Sequence, residues 1–191
     1  MWKRILALVV AMLVAGAASA LAGAEGAAGD AAMPSTLTAG SSSLILNGIG
    51  TRTVIGIRIY RAGLYLKAKS SDAQSILNAD EPMAVRLELV SGLVTPAKME
   101  KGTREGFKKS TGGETSALEP QIEQFVALFQ RGLEKGDAYD MIYIPGHGVR
   151  VLKNGSMQAS IGDLAFKKAL FGMWLGERTV QKRLSDGMLG L

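Results

Sequence analysis

Thr53-Val54-Ile55-Gly56-Ile57-Arg58-Ile59-Tyr60-Arg61-Ala62-Gly63-Leu64-Tyr65-Leu66-Lys67 is an almost unbroken apolar and β-branched run in the first half of the chain. Branched and aromatic side chains suit a pleated, half-buried surface. With a period of two, Ile55, Ile57 and Ile59 share one face, and Val54, Arg58 and Tyr60 share the other. The run therefore reads as one long strand, with Gly56 and Gly63 as bulges or points of close backbone approach. A strand of this kind needs partners, and the flanking sequence supplies them.

Upstream, Thr36-Leu37-Thr38 precede a turn at Ala39-Gly40, Ser43 to Leu46 follow, and Asn47-Gly48 reads as a second turn. Downstream, Ser71-Asp72 opens a short helix to about Asn78. Val85, Leu87 and Leu89 then alternate with Arg86 and Glu88 as a half-buried strand. Thr95-Pro96 is a helix cap followed by proline at the first helical position, and that helix runs to about Lys109. Gly102 and Gly106 lie one turn apart in it, where close packing against the sheet is the simple explanation. Leu118, Ile122, Phe125, Val126, Phe129 and Leu133 form the stripe of another helix, ended by Gly136. Strands follow over Ala138–Ile144, Val149–Leu152 and Met157–Ile161, the last two joined at Asn154-Gly155. Asp163 caps a helix with Leu164, Leu170, Phe171 and Trp174 on its apolar side, stopped by Gly176, and Thr179 begins a final short helix. Strands in antiparallel groups with helices inserted between and after them give an α+β class, with helices on one face of a curved antiparallel sheet.

Composition narrows the chemistry. The 191 residues contain no cysteine and one histidine, His147. Disulfides, thiol nucleophiles and thiolate metal sites are thereby excluded, and a two-histidine metal site cannot be built. No cofactor and no metal are expected. His147 sits in a glycine-flanked turn and reads as structural or solvated. The net charge is +5, and Lys3 and Arg4 contribute two of it, leaving +3 for the rest. No basic block with interleaved aromatics occurs, so nucleic acid is not an expected partner. The mild excess permits weak attraction to an anionic membrane surface. Lys3-Arg4, the apolar run Ile5–Gly16 and Ala18-Ser19-Ala20 form the pattern of a secretory signal peptide. The expected organisation is a cleaved signal over residues 1–20, a flexible Ala/Gly-rich leader over 21–34 and one domain over 35–191. The expected location is periplasmic or secreted.

Four motifs, in order, resemble a known family. Leu46-Asn47-Gly48-Ile49-Gly50-Thr51-Arg52 with Ile59-Tyr60-Arg61-Ala62-Gly63-Leu64-Tyr65-Leu66 resemble the paired strands of chalcone isomerase-like proteins. Tyr143-Ile144-Pro145-Gly146-His147-Gly148, then Asn154-Gly155, then Ala169-Leu170-Phe171-Gly172-Met173-Trp174-Leu175-Gly176 are similar to the bacterial exported branch of that family. The resemblance spans Thr36 to Leu191. It implies an open-faced β-sandwich, a curved antiparallel sheet covered by helices on one face, with a ligand cleft between the layers.

The resemblance also carries site expectations. The family's isomerases use an arginine, a threonine, a tyrosine and an asparagine. The arginine falls on Arg52 and the threonine position on Tyr60. The tyrosine position falls near Thr95, which is a helix cap, and the asparagine near Gly102. No catalytic residue is assigned on this basis. The fatty-acid-binding relatives are similar in using an arginine and a tyrosine to hold a carboxylate, and an arginine fork with a phenol suits that task. The candidate ligand-binding residues are Arg52, Tyr60 and Arg58. In an unbroken strand Arg52 and Tyr60 lie ~26 Å apart, so they meet only if the intervening chain turns or bulges; Arg58 is the nearer cation. The expected function is an exported, non-catalytic binding or accessory protein for a small apolar anion such as a fatty acid. The alternatives are an isomerase of chalcone isomerase type using Arg52 and Tyr60, and an envelope protein that binds a partner without a small ligand.

Overall fold

In the computed structural model, which describes residues 33–191, seven antiparallel strands pair in chain order, β1 to β7. They are β1 (Thr36–Ala39), β2 (Ser42–Val54), β3 (Ile57–Leu66), β4 (Met83–Leu89), β5 (Ala138–Ile144), β6 (Gly148–Lys153) and β7 (Ser156–Ile161). The helices are α1 (Ala73–Asn78), α2 (Pro96–Ser110), α3 (Glu119–Ala127), α4 (Leu164–Leu175) and α5 (Lys182–Leu189), with 3-10 turns over Ser116–Leu118 and Leu128–Arg131 on either side of α3. The α+β class and the curved sheet with its helical layer are as expected. The stretch expected to be a signal peptide, residues 1–20, and nearly all of the expected leader, residues 21–34, lie outside the described residues. Of the leader, Met33 is buried and the Pro34 carbonyl accepts a hydrogen bond from the Tyr65 hydroxyl at 2.9 Å. The folded domain thus takes in these two residues.

The long run opening at Thr53 is not one strand. It is the end of β2, a two-residue turn and all of β3. Val54 pairs with Ile57, and Ile55-Gly56 makes the turn, with φ of 47° and 76°. This pair of left-handed residues is the turn whose twist matches a hairpin. It places a β-branched residue where glycine and asparagine are the residues that sit with little strain, at a cost of about 1 kcal/mol or more. Just inside the turn the register slips by one: Arg52 pairs with Tyr60 but Thr53 pairs with Arg58, leaving Ile59 as the extra residue of a bulge.

Asn47-Gly48 is the converse correction. It lies inside β2, where Asn47 is the unpaired residue of a bulge between Leu46 and Gly48. The buried Asn47 side chain exchanges hydrogen bonds with Ser70 (2.9 Å each way) and donates to the Met188 carbonyl at 3.0 Å. The dipeptide that favours turns serves here to staple β2, the Ser70 segment and α5 together.

Helices and sheet enclose the main core, built on Leu64, Val85, Phe107, Phe125, Phe166 and Phe171. On the opposite face the sheet curls so that β1 lies over β4 and β5, burying Leu44, Tyr65, Ala84 and Ile142. The Asp163 carboxylate accepts from the amides of Ala165 and Phe166 and starts α4. From Phe166 to Leu175 only Lys168 of this helix is exposed, so α4 is surrounded rather than amphipathic. Leu170, Phe171 and Trp174 are buried as expected. Gly106 makes close packing possible, but against α4 and not the sheet: a Cβ there would stand 2.4 Å from the Met173 sulfur.

Candidate functional site

Between α2, α4 and the concave run of strands lies a cavity of about 430 Å³, within the range of small-molecule sites. Leu87, Tyr139, Met141 and Val151 form its floor from β4, β5 and β6. Met99, Gly102 and Thr103 of α2, Phe125 and Phe129, and Met173 and Trp174 of α4 form its walls. The β2–β3 hairpin, with Val54, Ile55 and Ile57, stands at its edge with Leu93 and Val180. Gly102 meets nothing within 4 Å of where a Cβ would be. That glycine therefore leaves room in the cavity, which corrects the expectation that it packs on the sheet.

The hairpin turn resolves the distance between Arg52 and Tyr60. Folded back at Ile55-Gly56, the two become direct cross-strand partners, and both line the cavity. Residues opposite each other on an antiparallel pair have Cβ atoms about 5 Å apart. The bulge at Ile59 separates Arg58 from them. One extra residue inverts the alternation, so Arg58 pairs with Thr53, is exposed and does not line the cavity. The expected shared face of Arg58 and Tyr60 is thus broken.

Tyr60 has a partner that sequence reading did not supply. The Trp174 indole N–H donates to the Tyr60 hydroxyl oxygen at 3.1 Å. Burial pushes the Tyr60 pKa up, offset in part by that hydrogen bond and by the nearby Arg52 charge. The phenol stays protonated, and because its oxygen already accepts from Trp174, its own hydrogen is left to donate elsewhere. Arg52 Nη1 donates to the Val180 carbonyl at 2.9 Å, which fixes the guanidinium and leaves further N–H groups. Gln181 reinforces the same junction: its Oε1 accepts from the Thr53 amide at 3.0 Å.

The lining carries Arg52, Lys98 and Lys109 against one carboxylate, Glu105, so its field favours an anion. Lys98, Thr103 and Trp174 were not legible as site residues, since each sits in an ordinary helical pattern. Thr95 does what its position suggests: its hydroxyl accepts from the Lys98 amide at 3.3 Å and caps α2. His147 occupies an exposed turn, its Nδ1 3.1 Å from the Pro145 carbonyl, and is not part of the cavity. Among the described residues no group of His, Asp and Glu could hold a metal ion, and no helix is long and apolar enough to cross a membrane.

Comparison with known proteins agrees with this architecture. A family model described as chalcone isomerase-like matches residues 25–190. Among solved structures, the chain is similar to the fatty-acid binding protein 1 of Arabidopsis thaliana, with a TM-score of 0.64 and 19% identity over 82% of this chain and 90% of that one. At that identity the likeness establishes the fold. No curated protein matches by sequence. With the family model spanning nearly all of the described residues, the chain belongs to the chalcone isomerase-like family.

Proposed function

We propose that the protein is an exported, non-catalytic carrier or accessory protein for a small apolar anion such as a fatty acid. The observation that carries this reading is the pairing of Arg52 with Tyr60 at a cavity whose remaining wall is mostly apolar. A carboxylate placed there would accept from the Tyr60 hydroxyl and from free N–H groups of Arg52, while its chain fills the space over Leu87, Met141 and Phe129. Trp174 orients the phenol, and Val180 and Gln181 hold the arginine's end of the site in place. That the Arabidopsis protein of the same fold is a fatty-acid binding protein supports the same reading.

The isomerase reading has fewer groups to work with. Thr95 is engaged as a helix cap and Gly102 offers no side chain, so two of the family's four polar positions supply nothing to the cavity.

Lipids extracted from natively purified protein and analysed by mass spectrometry test the proposal. The expected result is an apolar acid in near-stoichiometric amount, enriched over the lipid profile of the source. Extraction of neutral lipid alone, in equal proportion to the source, would count against an anion carrier.

A further inference from the structure

Two hairpins in this molecule turn in the same way but on different residues. The β6–β7 turn uses Asn154-Gly155, with φ of 50° and 79°, and the β2–β3 turn uses Ile55-Gly56, with φ of 47° and 76°. Asparagine is among the side chains that accept a left-handed backbone. Asn154 also contributes bonds: its side chain accepts from the Ala138 amide and donates to Asp137, both at 2.8 Å. At the matching position Ile55 brings a β-branched side chain to a conformation it disfavours, and it is 96% exposed. With so little of its surface buried, the side chain adds little to the packing of the fold. A strained, solvent-exposed residue is a sign that selection acts on something other than stability.

Ile55 does not stand alone. Val54 is 42% exposed, Ile57 45% and Leu93 56%, and all four line the edge of the cavity. Scattered exposed apolar residues need no explanation, but a cluster does. Cations surround this one. Arg58 is exposed on the same hairpin. Lys98 lines the cavity and places its ammonium 3.1 Å from the Leu93 carbonyl, and Arg52 and Lys109 line it as well, with Glu105 as the single carboxylate. An apolar tip flanked by basic side chains matches a surface that is anionic outside and hydrocarbon within.

We propose that the Val54–Ile57 turn, together with Leu93, is a docking finger that seats the cavity mouth on an anionic lipid surface. Ile55 and Ile57 enter the acyl boundary while Arg58 and Lys98 meet headgroup phosphates. An apolar anion then passes between bilayer and cavity without exposing its chain to water. Docking stands on the hairpin with Leu93 and Lys98 and does not need a ligand; the transfer rests on the carrier reading.

The absence of cysteine allows a single environment-sensitive fluorophore to be placed by Ile55→Cys, with Met157→Cys as the control on the other hairpin. The lipid is vesicles of equal parts phosphatidylglycerol and phosphatidylcholine, compared with pure phosphatidylcholine. The Ile55 probe is expected to shift to a membrane-like emission with the anionic vesicles and the Met157 probe to stay water-like. Without a label, Ile55→Asn keeps the turn and relieves its strain, so it folds, and its vesicle affinity is expected to fall about ten- to a hundredfold. Arg58→Gln is expected to cost about fivefold, and only on anionic vesicles. An Ile55 probe that remains water-like with vesicles overturns the proposal, as does a shift produced by raising protein concentration alone, which would make a second copy the occupant. Ligand binding measured without vesicles separates the two readings. Docking without ligand binding removes the carrier reading and leaves the finger. Ligand binding with Ile55→Asn indistinguishable from the parent on vesicles removes the finger and leaves the carrier.

Discussion

Replacing Lys167 with methionine is expected to lower folding stability by about 3 kcal/mol or more, as read from denaturant unfolding. Lys167 lies on α4 with its side chain fully enclosed, and its ammonium donates to the carbonyls of Ile76, Leu77 and Ala79 at 2.8, 2.8 and 2.9 Å. These carbonyls end α1, where a positive charge is favourable. The ammonium also lies 5.6 Å from the centre of the Tyr143 ring. Methionine fits the volume but strands all three acceptors. Lys168→Met, on the exposed neighbour, should stay within about 0.5 kcal/mol of the parent. Equal midpoints for the two variants would contradict this role.

The same lysine predicts a pH dependence. Burial, and after it the Lys168 charge, push its pKa down to about 8, whereas in the unfolded chain a lysine titrates near ~10.4. Above pH 8 the unfolded chain therefore holds the proton that the folded chain releases, and stability rises with pH until the unfolded lysine titrates too. Tyr65 and Tyr143, raised to about 12 by burial, act oppositely, but only once unfolded tyrosines ionise above ~10. The rise should thus be visible between pH 8 and about 10 and absent from Lys167→Met.

Gly50→Ala is the second large effect. A Cβ on Gly50 would stand 2.0 Å from the Leu184 carbonyl oxygen, and one on Gly48 2.3 Å from the Gly187 carbonyl oxygen. Helix α5 lies so close on β2 that backbone meets backbone, and neither side can yield without separating them. Its displacement would uncover Leu184 and Met188, both fully buried. The expected cost is on the order of 3–5 kcal/mol. Proteolysis at Arg183 should accelerate as α5 lifts, and the Arg52–Val180 and Thr53–Gln181 bonds should loosen with it. An unchanged unfolding midpoint with unchanged proteolysis would show that β2 and α5 do not need this contact.

Most of the element order was legible because the periodic segments are long and their punctuation is conventional: Asp72 and Asp163 cap helices, Thr95-Pro96 opens α2, and Asn154-Gly155 turns a hairpin. The failures share one cause, which is that tertiary contact overrode local preference. Isoleucine at residue 55 hid a turn inside a strand-like run, and Asn47-Gly48 advertised a turn where a bulge was needed to accept α5. The candidate site inherited the first of these errors. Arg52 and Tyr60 were identified by resemblance, but their approach depends on the concealed turn, and Arg58 stands outside the cavity lining because of a separate one-residue bulge at Ile59. Trp174 read as core, and it is buried, yet its indole N–H also aims at Tyr60. Lys167 carried no signal, because a lysine in the middle of a helix is ordinarily solvated.

In the proposed complex, Arg52 and Tyr60 hold the charged head of an apolar ligand in the cavity. Calorimetric titration of a fatty acid and of the hydrocarbon of equal length, into the parent, Arg52→Ala and Tyr60→Phe, measures this, with folding confirmed by circular dichroism. A charge-assisted hydrogen bond contributes about 1.5–3 kcal/mol. Arg52→Ala should therefore weaken the acid roughly ten- to a hundredfold, Tyr60→Phe should weaken it less, and neither should change the hydrocarbon. Binding of both ligands by both variants with the parent's affinity would place the head group elsewhere, and a parent that binds neither ligand would show that the cavity does not hold an apolar anion.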